Sequence, residues 1–498
     1  MSTRNAELTA AEVSPAVGSV PLERHPEAVR PRLTAPLAGP LARLRSDPAR
    51  LGALRISWRA LWTSRLLVWL VGVGAAAIFG LGSSRNAYDP PHITGGFGWL
   101  GDLLAAPAAR WDSAWYLVIA HFGYRPELGA ATSARMAYFP LYPLAMRAIG
   151  WTGAPLVLAG VLISLGAFLL ALYGIHRLTT LELAARLRPG APAPAEAARL
   201  AVIVTAFSPM AFFFSAVYTD ALYMALSVGL FWCARQGRWA WVGVLGALAA
   251  ATRSTGLMLL VPALIIYLYG PREDRPARRR ADAGGPARRG ARAAAVPALS
   301  RLGGLLRPRY RVRRDVLWLA LVPAGIAIYS VWLGLSGGQL LGAFHAEQAW
   351  SRHFVGPYLG IWDGLVAGFD GVRQLLSMQS HHIYFTLVGG SPMIAAWHNL
   401  MELAFLLAAI PALVGVLRRL PLAYGAYVLA AMALPLSYPV APQPLMSVPR
   451  YLVVLFPLSI WLGAWLAERP RLRRPAFVVS TVLMAFFVAQ FSTWHWVA

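Results

Sequence analysis

The chain has no lysine. All 45 of its basic residues are arginine, set against 21 acidic ones, for a formal net charge of +24. Charge of either sign is scarce. Charged residues make up 13% of the sequence, where a soluble domain carries about 25%, and this excludes an ordinary soluble enzyme. The single cysteine, Cys233, lies in an apolar stretch. It excludes a disulfide framework within the chain and any cysteine-based metal site. No His-Glu-x-x-His spacing occurs, so no zinc site is expected, and no essential metal or other cofactor. Residues 1–50 lack the apolar core of a signal peptide, so the first span is expected to serve as an uncleaved anchor.

What is present is apolar sequence, 58% of the chain. Runs of bilayer length fall at roughly 60–82, 153–176, 199–217, 219–234, 239–252, 255–270, 315–336, 394–416, 421–439, 450–467 and 475–494. They predict an all-α polytopic membrane protein with about 11 transmembrane helices, 10–12 if the short pair at 239–270 is counted differently. Residues 1–55, rich in Ala, Pro, Glu and Arg, read as a disordered cytoplasmic tail, and 56–498 as one transmembrane domain.

Arginine placement sets the orientation. Segment 271–314 holds 14 arginines against three acids and is expected to be cytoplasmic, lying against anionic lipid headgroups. The positive-inside rule accounts for the basic balance, and no nucleic-acid partner is expected. The N-terminus is then inside. Segments 83–152 and 337–393 become large outer loops, rich in Trp, Tyr, His and Phe, and are expected to carry amphipathic helices along the membrane interface. Abundant Ala, Gly and Arg suggest a GC-rich bacterial genome, hence a bacterial plasma membrane.

The first outer loop contains Arg110-Trp111-Asp112-Ser113-Ala114-Trp115-Tyr116, followed by Tyr138-Phe139-Pro140-Leu141-Tyr142-Pro143. Asp112, Trp115, Tyr116 and Ile119 share one face of a helix at i, i+3, i+4 and i+7. A carboxylate beside a bilayer is a functional candidate. Asp is also a good N-cap, and Asp112 stands where a helix could begin or could pair with Arg110. Two further arginines are out of place. Arg253 interrupts an apolar run, and Arg450 opens a late span beside Tyr451. A guanidinium suits a phosphate. Equally, Arg450 could snorkel, and Arg253 could pair with Asp220. In the second loop, His345, Glu347, Trp350, His353, His381 and His382 could line a groove for an acceptor.

Four stretches together resemble the PIG-V family of membrane mannosyltransferases and its bacterial relatives, in the GT-C superfamily. They are 110–143 as quoted, Phe207-Ser208-Pro209 through Tyr218-Thr219-Asp220-Ala221-Leu222, Ala251-Thr252-Arg253-Ser254-Thr255-Gly256, and Pro449-Arg450-Tyr451-Leu452 through Phe456-Pro457. Asp220 replaces the commoner Glu, Thr255 replaces the commoner Asn, and 271–314 has no counterpart. The resemblance implies an inverting transfer of mannose from polyprenyl-phosphate mannose to an extracytoplasmic lipoglycan, glycolipid or protein. Asp112 matches the family's base. Arg450, Arg253 and Tyr451 would meet the donor phosphate. Trp111, Trp115, Tyr116, His121, Tyr138, Tyr142, Tyr218 and Asp220 would surround the substrates. The competing reading is a transporter or lipid flippase for a glycolipid, which predicts internal repeats with paired broken helices; no such self-similarity is visible. A non-catalytic scaffold would leave Asp112 and Arg450 without a purpose.

Overall fold

The structure is a computed structural model that describes residues 47–81, 96–186, 192–275, 308–378, 391–440 and 443–497, with the backbone alone for 128–133. Among these residues the regular structure is helical, and β-pairing is limited to isolated bridges of Arg352 with Val440 and Val440 with Gln443. Helices satisfy every backbone polar group within one segment, which the apolar composition demands. In chain order they are α1 (Pro48–Phe79), α2 (Gly98–Ala105), α3 (Ser113–Phe122), α4 (Leu141–Gly150), α5 (Leu156–Ala184), α6 (Pro194–Ala206), α7 (Asp220–Arg235), α8 (Trp239–Ala250), α9 (Leu260–Tyr269), α10 (Leu321–Leu335), α11 (Gly342–His345), α12 (Pro357–Ser377), α13 (Pro392–Arg419), α14 (Leu422–Leu436), α15 (Val448–Val453), α16 (Phe456–Ala467) and α17 (Pro470–Ser492).

The chain is an all-α polytopic membrane protein. Among the described residues five helices are long and apolar enough to cross a membrane: α1, α5, Arg314–Leu335 (a 3-10 turn running into α10), α13 and α17. Large side chains such as Leu70, Leu170, Ile328 and Val482 stand exposed along them, as a lipid-facing surface requires. The remaining apolar helices are shorter. The 12 residues of α8 reach only about 18 Å, short of a ~30 Å hydrocarbon core.

Several expected boundaries move. α1 begins at Pro48, inside the segment expected to be a tail. Asp47 accepts from the N–H groups of Ala49 and Arg50, and Pro48 takes the first helical position, two start signals that the reading of 1–55 missed. Residues 1–46 and 276–307 lie outside the described residues, and with them most of the tail and of the basic loop. The span expected at 199–217 ends at Ala206. Pro209 has no N–H to continue it and disfavours helix at Ser208. The span at 450–467 is likewise divided, into α15 and α16.

Of the broken backbone at 207–219, residues 210–219 are buried, and partners from elsewhere in the chain satisfy it. Arg65 of α1, 2% exposed, donates to the carbonyls of Ala206 (3.2 Å) and Ala211 (2.7 Å) and to Ser215 Oγ (2.9 Å). Ser164 Oγ donates to Ala216 O and the Val217 N–H to Ala108 O, both at 2.8 Å. Non-helical backbone at membrane depth survives only with such partners.

α7 gives the bundle two chemically distinct ends. At its C-terminus Arg235 pairs with Glu182 of α5 (2.5 Å), which also holds Arg186 and the Tyr424 hydroxyl. Nearby ends of α6, α13, α16 and α17 join through Arg473–Glu196 and Arg419–Glu468. At its N-terminus, about 24 Å away by helical rise, stands Asp220.

The expected amphipathic helices divide between segments 83–152 and 337–393. α3 is enclosed, with seven of its ten residues buried, so it does not lie along a surface. α12 does have the expected character. It buries Gly360, Gly364, Gly368 and Gly371 against neighbouring helices and exposes Tyr358, Trp362, Leu365 and Phe369. Gly360 is required there, because a Cβ would overlap the Leu436 carbonyl.

Candidate functional site

Four charged side chains form a chain of ion pairs at the Asp220 end of α7. Arg450 Nη1 donates to Asp112 Oδ2 at 2.9 Å, and its Nε donates to Asp220 Oδ2 at 3.1 Å. Arg253 Nη1 donates to Asp220 Oδ1 at 2.8 Å. Asp220 is wholly buried and Arg450 nearly so; Asp112 keeps 24% of its side chain exposed. The two arginines also lie over aromatic faces, Arg450 over Tyr218 at 4.4 Å and Arg253 over Tyr451 at 5.1 Å.

Local breaks in the helices put these groups in place. Asp112 precedes α3 in the N-cap position, yet its side chain makes no capping bond. It turns away, to Arg450 and to the Tyr138 hydroxyl, which donates to Oδ1 at 3.1 Å. The capping alternative is thereby set aside. Asp220 opens α7, where the helix dipole favours a carboxylate. Arg253 sits in an extended residue between α8 and the 3-10 turn Ser254–Leu259. The turn folds back so closely that a Cβ on Gly256 would overlap the Ala249 backbone. Arg450 follows Ser447, in a left-handed conformation, and Pro449 at the start of α15. It is buried rather than snorkelling.

The charged chain borders a pocket of ≈ 200 Å³. Asp112, Tyr116, Tyr138, Arg253, Arg450 and Tyr451, all named among the candidate site residues, line it. Tyr218 and Asp220 stand directly behind Arg450. Trp115 stacks on Tyr138 at 5.8 Å and meets Trp350 edge-on at 6.3 Å; its indole N–H is buried with no partner among the described residues. Three expected residues lie elsewhere. Trp111 packs in the core against Trp494 and Trp496. Tyr142 is buried against Gly160 and Ser164. His121 is exposed beside Phe122, because nine helical residues after Asp112 is half a turn away.

Segment 337–393 contributes the facing wall. Glu347 and Trp350 reach the pocket, while His345 and His353 are exposed away from it, and His381 and His382 lie outside the described residues. Arg352 was missed. It lines the pocket with its Nε 3.5 Å from Glu347 Oε2. Withdrawal from water on the pocket wall pushes the Glu347 carboxyl above its ordinary range; Arg352 opposes this and the charge of Asp112 adds to it. Ser447 and Trp496 were missed too. Trp496 comes from the far end of the chain, and no local pattern ties it to Asp112. Among the described residues no three His, Cys, Asp or Glu side chains gather as a metal site would need.

Residues 98–267 match the family model described as Mannosyltransferase (PIG-V). The matched stretch contains Asp112, Tyr138, Asp220 and Arg253 and ends before Arg352 and Arg450. No curated protein and no solved structure matches the chain.

Proposed function

We propose that this chain, a glycosyltransferase with the mannosyltransferase (PIG-V) region, moves mannose from polyprenyl-phosphate mannose to a hydroxyl of an extracytoplasmic acceptor, with inversion and in the GT-C manner. The observation that carries the reading is Asp112. It forgoes the cap of its own helix and presents a partly exposed carboxylate to a pocket bordered by arginines.

The step balances as follows. The acceptor oxygen forms a bond to the anomeric carbon as its proton passes to Asp112. The bond from that carbon to the phosphate oxygen breaks, and its electron pair leaves with the polyprenyl phosphate. Arg450 and Tyr138 occupy two of the carboxylate's roughly four lone-pair sites, so a hydroxyl can still approach. Their bonds hold the base in one orientation, which lowers the entropic part of the barrier. Arg253, Arg450 and Tyr451 offer hydrogen-bond donors to the charge developing on the leaving phosphate. Trp350 and Tyr138 offer aromatic faces to a sugar ring, and Trp115 backs Tyr138.

Topology supports the outer face of a plasma membrane, bacterial by the composition. The arginine-rich helix ends lie at the opposite end of α7 from the pocket, and the positive-inside rule sends those ends to the cytoplasm. A lipoglycan, glycolipid or secreted protein would then be the acceptor, and anionic lipid would meet 271–314. Guanidinium groups supply the positive charge, so the reaction needs no metal. The test is to give purified protein in vesicles labelled polyprenyl-phosphate mannose with an envelope lipid extract. Labelled mannose appearing in a new linkage of opposite anomeric configuration supports the reading. Labelled donor crossing the bilayer unchanged, with no transfer, would replace it by a flippase.

A further inference from the structure

We propose that Arg352 binds the phosphate of the lipid-linked donor by exchanging its resident partner, Glu347, for it. The inference rests on the transfer reading above and identifies which positive charge in the pocket is available to an incoming anion.

The wall formed by Asp112, Arg450, Asp220 and Arg253 holds two positive and two negative charges, paired at 2.8–3.1 Å. For Arg450 or Arg253 to give its full charge to a ligand, wholly buried Asp220 would have to give up one of its two arginine partners, which is costly. That wall can offer hydrogen bonds, but its net charge is zero.

The facing wall differs. The Arg352–Glu347 contact is longer, at 3.5 Å, and Glu347 keeps 38% of its side chain exposed, so its carboxylate can swing into water at small cost. Arg352 itself cannot follow. Its backbone bridges to Val440, its Nη1 reaches the Tyr438 carbonyl at 3.5 Å, and its side chain is 13% exposed. A fixed cation with a loosely held counter-ion is what a phosphodiester of charge −1 requires. When Glu347 leaves, the pocket gains one positive charge, and the donor cancels it. As the bond to the anomeric carbon breaks, the phosphate gains a second negative charge. The planar fork of Arg352 can take two of its oxygens.

Tryptophan fluorescence tests this, since Trp350 and Trp496 line the pocket. The purified full chain is titrated with short-chain polyprenyl-phosphate mannose, with the matching polyprenyl phosphate, and with neutral polyprenol. Wild type should bind both phosphate lipids more tightly than polyprenol. Arg352→Ala should weaken the phosphate lipids by about tenfold to a hundredfold, the range of a lost charge-assisted bond, and leave polyprenol unchanged. Arg352→Lys should fall between, and Glu347→Gln should tighten the phosphate lipids. If Arg352→Ala and Glu347→Gln both bind phosphate lipids as wild type does, the exchange is wrong while the transfer reading stands. If wild type does not distinguish phosphate lipids from polyprenol, the donor assignment fails, and the exchange fails with it.

Discussion

The Arg450 guanidinium meets the Asp112 carboxylate at 2.9 Å, across 338 positions of sequence. The same guanidinium reaches Asp220 through Nε. One side chain therefore fixes the proposed base to the N-terminus of α7. Its two bonds leave along different edges of a planar group, a geometry that a lysine ammonium lacks. Arg450→Lys should fold, because one positive charge remains between two aspartates. Its turnover should fall about tenfold to a hundredfold, as expected when a catalytic group is displaced by about 1 Å. Steady-state rates with labelled donor, beside thermal unfolding in the same detergent, check both halves of this expectation.

Asp220 is the structural member of the chain. It is wholly buried and holds two arginines. Asp220→Asn would leave those arginines facing each other with Asp112 as the one remaining carboxylate of the ion-pair chain. The expected cost is about 3–5 kcal/mol, the loss typical of breaking a buried pair from one side. It should appear as a large drop in unfolding temperature, with activity lost in parallel.

The helices were legible because apolar runs of bilayer length can be little else. The breaks were harder to read, since they depend on partners far away in the sequence. Nothing near Ser208-Pro209 says that Arg65 will supply its hydrogen bonds, whereas Arg253 already falls in the gap between the apolar runs at 239–252 and 255–270. Asp112 was legible as an acid out of place, but its choice between a cap and a pocket was not, because both futures share the same local sequence. Arg352 was passed over because an arginine in a polar loop carries no signal; its meaning comes from the pairing of every other charge around it. Trp111, Tyr142 and His121 are the opposite case, a motif's neighbours whose side chains lie away from the pocket. Trp111 precedes α3 with a positive φ, Tyr142 turns to Gly160 and Ser164, and helical rotation carries His121 aside.

Arg65 gives a prediction for the fold alone. Arg65→Met keeps the bulk and removes the donors to Ala206 O, Ala211 O and Ser215 Oγ. Each buried acceptor left unsatisfied costs about 1–3 kcal/mol. The variant should unfold at a clearly lower temperature, and hydrogen exchange should report opening at 207–219 before the rest of the chain.

Glu347 sets a pH dependence for donor binding. Its carboxyl is raised above the ordinary range by withdrawal from water, and it shares the pocket wall with Arg352, Asp112, Tyr116, Tyr138, Arg253, Arg450 and Tyr451. As the pH falls through that raised value, Glu347 takes up a proton and releases Arg352, so donor binding should tighten. As the pH rises through it, binding should weaken to a plateau. Glu347→Gln should bind tightly throughout and flatten this profile, measured by the same fluorescence titration. A wild-type profile that runs the other way would contradict the assignment.

The most direct test of the account is the turnover of Asp112→Asn in purified protein given labelled polyprenyl-phosphate mannose and acceptor extract. Asn keeps the shape, its amide oxygen can still accept from Arg450, and its amide nitrogen can donate to a turned Tyr138 hydroxyl, but it cannot take a proton. Loss of a general base predicts a fall of about 10²–10⁴-fold in rate, with donor binding and unfolding temperature near those of wild type. Wild-type turnover in Asp112→Asn would contradict the central claim.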